Sequence, residues 1–328
     1  MFIDRFGRKI TYLRISVTDR CNMRCVYCMP ADGIIQTNHH SIMRYEEITQ
    51  VIRLAAKHGV NEIRLTGGEP LVRTNLPELV AMISKIEGID DISLTTNGLM
   101  LGMFAKPLAD AGLKRVNVSL DTLIPERFSR ITRGGQLSQV LNGLELAEMW
   151  GLNPIKINTV VMRNVNDDEL ESLAQLSKNR SWHVRFIEIM PLQNQNYWGD
   201  GFPSPKDTWI SVSEMMDRLG KLGLEKVENM TGSGPAVEYR LPDAEGRIGF
   251  IAPVSKPFCS QCNRLRLTAD GNLRPCLMSD QEVPILETLR KGEDILPLFE
   301  RALWRKPEAH ELQEKRTPSG RTMHQIGG

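Results

Sequence analysis

Six short runs of alternating apolar and polar residues, separated by segments of helical period, constrain this chain more than any other feature. They are KITYLRISVT (9–18), EIRLTGG (62–68), DISLTTNG (91–98), RVNVSLD (115–121), IKINTVVM (155–162) and HVRFIEIM (183–190). Each is rich in Ile, Val, Leu or Thr, and several end in Gly, Asn or Asp, as strands feeding loops do. Between them lie amphipathic patterns. In YEEITQVIRLAAKHGV the residues Ile48, Val51, Ile52, Ala55 and Ala56 fall at i, i+3, i+4, i+7 and i+8, and the pattern stops at Gly59. Similar periods run through LPELVAMISKIEG, LMLGMFAKPLADAG, LSQVLNGLELAEMWG and NDDELESLAQLSK. Strand, helix, strand in repetition predicts a parallel sheet with right-handed crossovers.

The strand faces narrow the architecture. Strands covered by helices on both sides read as nearly continuous apolar runs; these alternate. Leu13, Ile15 and Val17 oppose Tyr12, Arg14 and Ser16; Ile63 and Leu65 oppose Glu62, Arg64 and Thr66; Val116, Val118 and Leu120 oppose Asn117, Ser119 and Asp121; Ile155 and Ile157 oppose Lys156 and Asn158. The apolar faces suit the helices. The polar faces then line a curved, partly open barrel interior that holds a ligand, the alternative being a single-layer sheet with one face in water. Arg14, Arg64, Lys156 and Arg185 aim positive charge into that interior, which suits a polyphosphate.

After about residue 200 the alternation ends. NQNYWGDGFPSPKDTW reads as a loop, SVSEMMDRLGKLG as one more helix, and AVEYRL with GRIGFIAPV as paired strands. The final RKPEAHELQEKRTPSGRTMHQIGG is too polar to form a core and, taken alone, reads as a flexible tail. The organisation predicted is 1–200 for the barrel, 201–304 for a C-terminal region and 305–328 for the tail.

Charge excludes some partners. Lys+Arg 41 against Asp+Glu 40 gives a formal charge of +1, so nothing global argues for nucleic acid or an anionic membrane. The opening MFIDRFGRKI lacks a signal-peptide core and no segment approaches a transmembrane run, which points to a cytoplasmic protein. In that reducing compartment the six cysteines are not expected to form three disulfides.

The cysteines form two triads. Cys21, Cys25 and Cys28 stand in CNMRCVYC directly after the first strand, at the end of a β/α unit where barrel active sites lie. Cys259, Cys262 and Cys276 stand in CSQCNRLRLTADGNLRPC, where a hairpin turning at Asp270-Gly271 returns the third cysteine beside the pair. Zinc could take four of the six, stranding two, and all six histidines lie outside both triads; His39 and His40 read most simply as loop residues. Iron and sulfide fit three ligands better, because a cubane normally takes four cysteines and three leave one iron open to a substrate. The spacing favours a catalytic cluster, with a zinc knuckle as the alternative.

The C-x-x-x-C-x-x-C motif, with Tyr27 before its last cysteine, resembles the signature of radical S-adenosylmethionine enzymes, and Gly67-Gly68-Glu69-Pro70 resembles that superfamily's GGE motif. The second triad with Asn263-Arg264-Leu265-Arg266, together with LTGGEPLVR, TTNG and Gly327-Gly328, resembles the GTP 3′,8-cyclase family of molybdenum cofactor biosynthesis over essentially the whole chain. That resemblance implies a partial (β/α)6 TIM-type barrel closed by a region bearing a second cluster, usually in a homodimer. It implies one 4Fe-4S cluster on Cys21, Cys25 and Cys28, with S-adenosylmethionine contacted by Tyr27, Gly68, Ser119 and Met190, and a second on Cys259, Cys262 and Cys276 facing the guanine of GTP. Arg14, Arg64, Thr95, Lys156, Arg264 and Arg266 match GTP-contacting positions, and Arg185 is a further candidate for the phosphates. Arg14, Gly327 and Gly328 take catalytic roles by the same resemblance, the two glycines reaching into the active site.

The implied reaction starts with an electron from a flavodoxin- or ferredoxin-type donor, which cleaves S-adenosylmethionine to a 5′-deoxyadenosyl radical. Loss of the C3′ hydrogen of GTP, attack on guanine C8 and reduction give (8S)-3′,8-cyclo-7,8-dihydroguanosine 5′-triphosphate. Cyclic pyranopterin monophosphate synthase would take that product.

Overall fold

In a computed structural model the described residues are 1–33, 37–190, 198–199, 201–227, 234–312, 318 and 320–327. All six expected strands form, as β1 (Tyr12–Ser16), β2 (Glu62–Thr66), β3 (Asp91–Thr96), β4 (Arg115–Ser119), β5 (Lys156–Val161) and β6 (His183–Glu188). They pair in parallel and in chain order. Helices α1 (Tyr45–Lys57), α2 (Leu76–Ile83), α3 (Leu101–Asp110), α4 (Pro125–Thr132), α5 (Leu137–Met149) and α6 (Leu170–Gln175) fill the connections. The apolar strand positions Leu13, Ile15, Ile63, Leu65, Val116, Val118 and Ile157 are fully buried in one core with Ile48, Val51, Ile52 and Ala55 of α1. Period-2 strands and period-3.6 helices thus bury one common face, and the chain forms the partial (β/α)6 barrel expected.

The C-terminal region completes the barrel from both sides. It contributes β7 (Glu225–Lys226), β8 (Val237–Arg240), β9 (Arg247–Ile251), β10 (Arg264–Leu267), β11 (Asn272–Arg274) and β12 (Val283–Pro284), with helices α7 (Val212–Leu219), α8 (Leu286–Arg290), α9 (Leu296–Trp304) and α10 (Met323–Ile326). The sheet runs β12-β11-β10-β1-β2-β3-β4-β5-β6-β9-β8-β7. β9 adds parallel to β6, and β10 adds parallel to β1. Both edges of the six-stranded core are therefore covered by later sequence, which moves the open edges out to the two-residue strands β12 and β7. The two expected pairings occur: Val237 opposes Phe250 in the β8–β9 ladder, and Arg266 opposes Arg274 across the hairpin turning at Asp270-Gly271.

Three local expectations need correction. The first strand begins at Tyr12, because Lys9 instead bridges back to Ile3. Helix α4 was not expected; Pro125 at its first position and Arg133 in the left-handed region at φ 54° delimit only eight residues, too few for a clear period. The described part of the polar tail is not loose. Lys306 and Leu312 are buried, Arg8 donates to the carbonyls of Pro307 and Glu308 at 2.7 and 2.8 Å, and α10 buries His324 and Ile326. Its polar groups find partners on the barrel, so a core of its own is unnecessary.

Glu188, at the end of β6 and fully buried, joins the two halves of the chain. Its carboxylate accepts from the amides of Val212 at 2.9 Å, Val254 at 3.1 Å and Ser255 at 2.9 Å, and from the Ser255 hydroxyl. Replacing Glu188 with Ala leaves those amides without their acceptor, so urea unfolding is expected to show a loss of about 3 kcal/mol. A loss under about 1 kcal/mol would mean that the junction is held by packing alone.

Candidate active site

One cavity of about 370 Å³ opens inside the curve of the sheet. Its wall is the polar strand face: Tyr12 and Arg14 of β1, Glu62, Arg64 and Thr66 of β2, Thr95 and Thr96 of β3, Arg115 and Ser119 of β4, Lys156, Asn158 and Val160 of β5, and Arg185 and Ile187 of β6. All six cysteines line it, as do Tyr27, Gly68, Met190, Arg264 and Arg266. The structure therefore brings together every residue expected to hold a cluster, S-adenosylmethionine or GTP, the terminal glycines apart. Gly327 touches the site through its carbonyl oxygen, which accepts from Arg266 Nη1 at 2.6 Å; Gly328 lies outside the described residues.

The two triads occupy opposite ends of the same strands. Cys21 follows the carboxyl end of β1, whereas Cys259 and Cys262 precede the amino end of β10, which runs parallel to β1 with Tyr12 opposite Arg264. Since β11 returns antiparallel to β10, Cys276 comes back to that same amino end. About four residues of strand, or roughly 13 Å, separate the two ends.

Between them lies a row of cations. Arg266, Arg14 and Arg64 stand opposite one another across β10, β1 and β2. The Tyr12 ring sits among guanidinium groups, with Arg64 at 5.3 Å and Arg14 and Arg264 at 5.8 Å from its centroid. Burial raises the pKa of this phenol, but Arg64, Arg14 and Arg264 outweigh it and bring the value below the usual one. Burial and like charges also act on the cations. Lys156 is pushed down to about 6 by burial and then by Arg185, Arg115 and Arg64; Arg64 falls to about 9 and Arg185 to about 10, burial leading in each; Arg266 is lowered strongly. Among the described residues, Nε of Arg185 and of Arg264 are buried without a hydrogen-bond acceptor. Such a wall is built for a polyanion.

At the first triad end burial acts on thiols, a phenol and carboxyls instead. Burial raises the thiols of Cys21 and Cys25 and pushes Cys28 to about 12, so in the metal-free chain they keep their protons. Tyr27 donates to Asp121 at 2.6 Å, and burial raises Asp121 to about 6 and Glu69 to about 7. The loop carrying Cys21 is held by backbone contact with the GGE loop: Gly68 N–H donates to Thr18 O and Glu69 N–H to Arg20 O, both at 2.7 Å. A Cβ on Gly68 would fall 2.3 Å from Arg20 O, so glycine is needed for the loops to meet. Gly327 is similarly confined, since its Cβ would fall 2.2 Å from Thr66 Oγ1 and its φ is 77°.

At the other end the thiols have unlike surroundings. Burial raises Cys276, whereas for Cys262 the effect of burial is outweighed by Lys306, the Arg264 backbone and the Arg264 guanidinium, which bring it below the usual thiol value.

Several lining residues escaped the sequence reading. Arg115 could have been found by extending the alternation of Asn117 and Ser119 two residues back, since all three share one face of β4. Lys306, His310, Met323 and His324 reach the cavity only through the path of the tail, for which the sequence carries no periodic signal.

The comparisons with known proteins follow the same division of the chain. Residues 15–177 match the profile described as the Radical SAM superfamily, and residues 182–312 the one described as Molybdenum Cofactor Synthesis C. Among solved structures, Streptococcus suis SuiB bound to S-adenosylmethionine superposes with a TM-score of 0.60 at 14% identity, covering 89% of this chain and 67% of that one. Native anSMEcpe with bound AdoMet gives 0.55 at 16% identity over 92% and 82%. Fold and profile together define a radical S-adenosylmethionine enzyme, with a 4Fe-4S cluster and S-adenosylmethionine as its cofactors. The curated relatives are more specific. Proteins named GTP 3′,8-cyclase are 50% identical in Pelotomaculum thermopropionicum over 99% of both chains, 45% in Alkaliphilus oremlandii over 99% of both, and 44% in Petrotoga mobilis over 99% of this chain and 100% of that one. This chain belongs to the GTP 3′,8-cyclase family.

The raised Asp121 sets a pH dependence of stability. A carboxyl whose folded pKa, about 6, exceeds its reference 3.8 binds more protons folded than unfolded, so its contribution is full at low pH and is lost as pH rises through that window. Asn at this position can still accept from Val160 N–H and donate to the Tyr27 oxygen. The stability of wild type relative to Asp121→Asn is therefore expected to fall by about 2 kcal/mol between about pH 4 and about pH 6. Parallel urea-unfolding curves across that range would remove Asp121 from the account.

Proposed function

We propose that this chain converts GTP to (8S)-3′,8-cyclo-7,8-dihydroguanosine 5′-triphosphate in the cytoplasm, the first step of molybdenum cofactor biosynthesis. The observation that carries this reading is the cation row between two cysteine triads in a single cavity. Cys21, Cys25 and Cys28 hold the 4Fe-4S cluster, and Tyr27, Gly68, Ser119 and Met190 contact S-adenosylmethionine. Cys259, Cys262 and Cys276 hold a second 4Fe-4S cluster. The buried thiols and the glycine cradle at Gly68 fit the first group, and three thiols converging from two segments fit the second. When bound, these cofactors supply one-electron cleavage and hydrogen abstraction from the ribose, with an open iron for the base.

The protein's own residues do the positioning. Arg14, Arg64, Thr95, Lys156, Arg185, Arg264 and Arg266 take the GTP, the guanidinium and ammonium groups gripping the triphosphate while the second triad end receives the guanine. Fixing both ends of the nucleotide holds the ribose toward the first triad, and enclosure excludes water. Arg266 also carries the Gly327 carbonyl, so the tail and the substrate share one guanidinium; Gly327 and Gly328 complete the catalytic end with Arg14. The working assembly is a homodimer of chains organised as 1–200, 201–304 and 305–328. It draws electrons from a flavodoxin- or ferredoxin-type donor and hands its product to cyclic pyranopterin monophosphate synthase. No helix of the described residues is long and apolar enough to cross a membrane.

Cys276→Ser tests the reading. Iron is expected to drop from about eight to about four per chain, with S-adenosylmethionine cleavage retained and the cyclised nucleotide absent; full cyclisation by that variant would sink the assignment. Lys156 gives a second test. With a pKa of about 6 it is mostly neutral near pH 7, and a bound phosphate raises that value, so GTP binding takes up a proton. Binding that takes up protons weakens as pH rises, and calorimetry in buffers of differing ionisation enthalpy should show the uptake near pH 7 in wild type and lose it in Lys156→Met. Unchanged uptake would place the lysine away from the phosphates.

A further inference from the structure

Lys306 leaves the end of α9 and is 2% exposed. Its ammonium has three N–H donors, and the structure gives each an acceptor: the carbonyl oxygens of Pro275 at 2.7 Å and Arg264 at 2.8 Å, and Sγ of Cys262 at 3.4 Å. Among the described residues it forms no ion pair with a carboxylate. A buried ammonium without a counter-charge is costly, and two carbonyl dipoles offset only part of that cost. The sulfur is the one acceptor of the three that becomes anionic, which it does when it ligates a metal.

The placement is specific to one triad. Lys306 joins the strand that follows Cys262 to the residue that precedes Cys276, so a single side chain spans both cysteine-bearing segments. Around the first triad the cation Arg24 donates to the Cys21 carbonyl at 2.7 Å and not to a sulfur, and the nearest donor to Cys21 Sγ outside its own loop is the neutral amide of Asn97 at 3.9 Å.

We propose that Lys306 is a positioning residue and built-in counter-ion for the second cluster: it holds the Cys262 and Cys276 segments together and raises the reduction potential of the iron they ligate. The inference rests on reading Cys259, Cys262 and Cys276 as cluster ligands. The physical reason is direct. Reduction adds negative charge to the cluster, a fixed positive donor on a ligating sulfur stabilises that form, and hydrogen bonds to sulfur are among the recognised determinants of cluster potential.

The test is an anaerobic redox titration followed by electron paramagnetic resonance on the reconstituted holoenzyme, the second cluster being assigned by the signal that GTP perturbs. Wild type, Lys306→Met and Lys306→Arg are compared, with iron counted in each. About eight irons in wild type and in the Met variant, a shift of the second cluster to more negative potential in Met, an unmoved first cluster and recovery in Arg are the expected results. Eight irons with an unmoved second potential would overturn the counter-ion role. Should Met fail to retain the second four irons, Arg decides: a wild-type potential supports the role, and a displaced potential or equal loss of iron leaves Lys306 a merely structural tie. About four irons in wild type itself would instead overturn the ligand reading beneath the inference.

Discussion

Concentration of like charge in a buried cavity is the constraint on which the rest of the structure depends. Arg266, Arg14 and Arg64 stand side by side on adjacent parallel strands, where neighbouring residues lie about 5 Å apart. Such a row opposes folding. The barrel tolerates it by fixing each cation with a partial counterweight: the Tyr12 ring among three guanidiniums, Ser93 on Arg64, Glu238 on Arg185, Asp91 and Glu62 on Arg115, and the Gly327 carbonyl on Arg266. Burial first, and the neighbouring cations after it, still hold Lys156, Arg64 and Arg185 below their usual values. A polyanion completes the compensation, so the strain that the fold carries becomes affinity for the substrate.

Parallel pairing is what makes this possible. A strand alternates its side chains between two faces, so in-register parallel strands place equivalent residues in rows that cross the sheet. Six β/α units alone would end at two open edges. Because β10 docks on β1 and β9 on β6, the same register carries the cation row onto Arg266 and seats the second triad at the end opposite the first. The separation of the triads thus includes a length of β-strand, which backbone geometry fixes. A radical reaction needs that fixity, since the reacting carbon must be presented and nothing else.

Legibility in the sequence followed the range of the interactions. The period-2 faces of Tyr12–Ser16, Glu62–Thr66 and Arg115–Ser119 are local, and they foretold both the helix-packed face and the polar interior. Arg264 and Arg266 were readable as one face of a strand for the same reason. The docking of β10 beside β1 was not, because strands more than two hundred residues apart leave no periodic trace of their pairing. The tail illustrates the same limit. Its polar composition is real, but the acceptors for Lys306 and the donors from Arg8 belong to other segments, and composition cannot reveal partners that folding supplies.

The two triads also show how three cysteines can be given two characters. Both present three cysteines on one cavity, yet the first is enclosed by Asp121, Glu69 and Tyr27, whose burial favours neutral forms, while the second adjoins Lys306 and the guanidinium of Arg264. Identical thiols in unlike fields differ in how readily they give up protons and how well they stabilise added electrons. The asymmetry follows from topology: the carboxyl end of β1 meets the GGE loop, and the amino end of β10 meets the segment leaving α9. A single barrel thereby surrounds its two triads with unlike titratable groups, carboxyls and a phenol at one end and cations at the other.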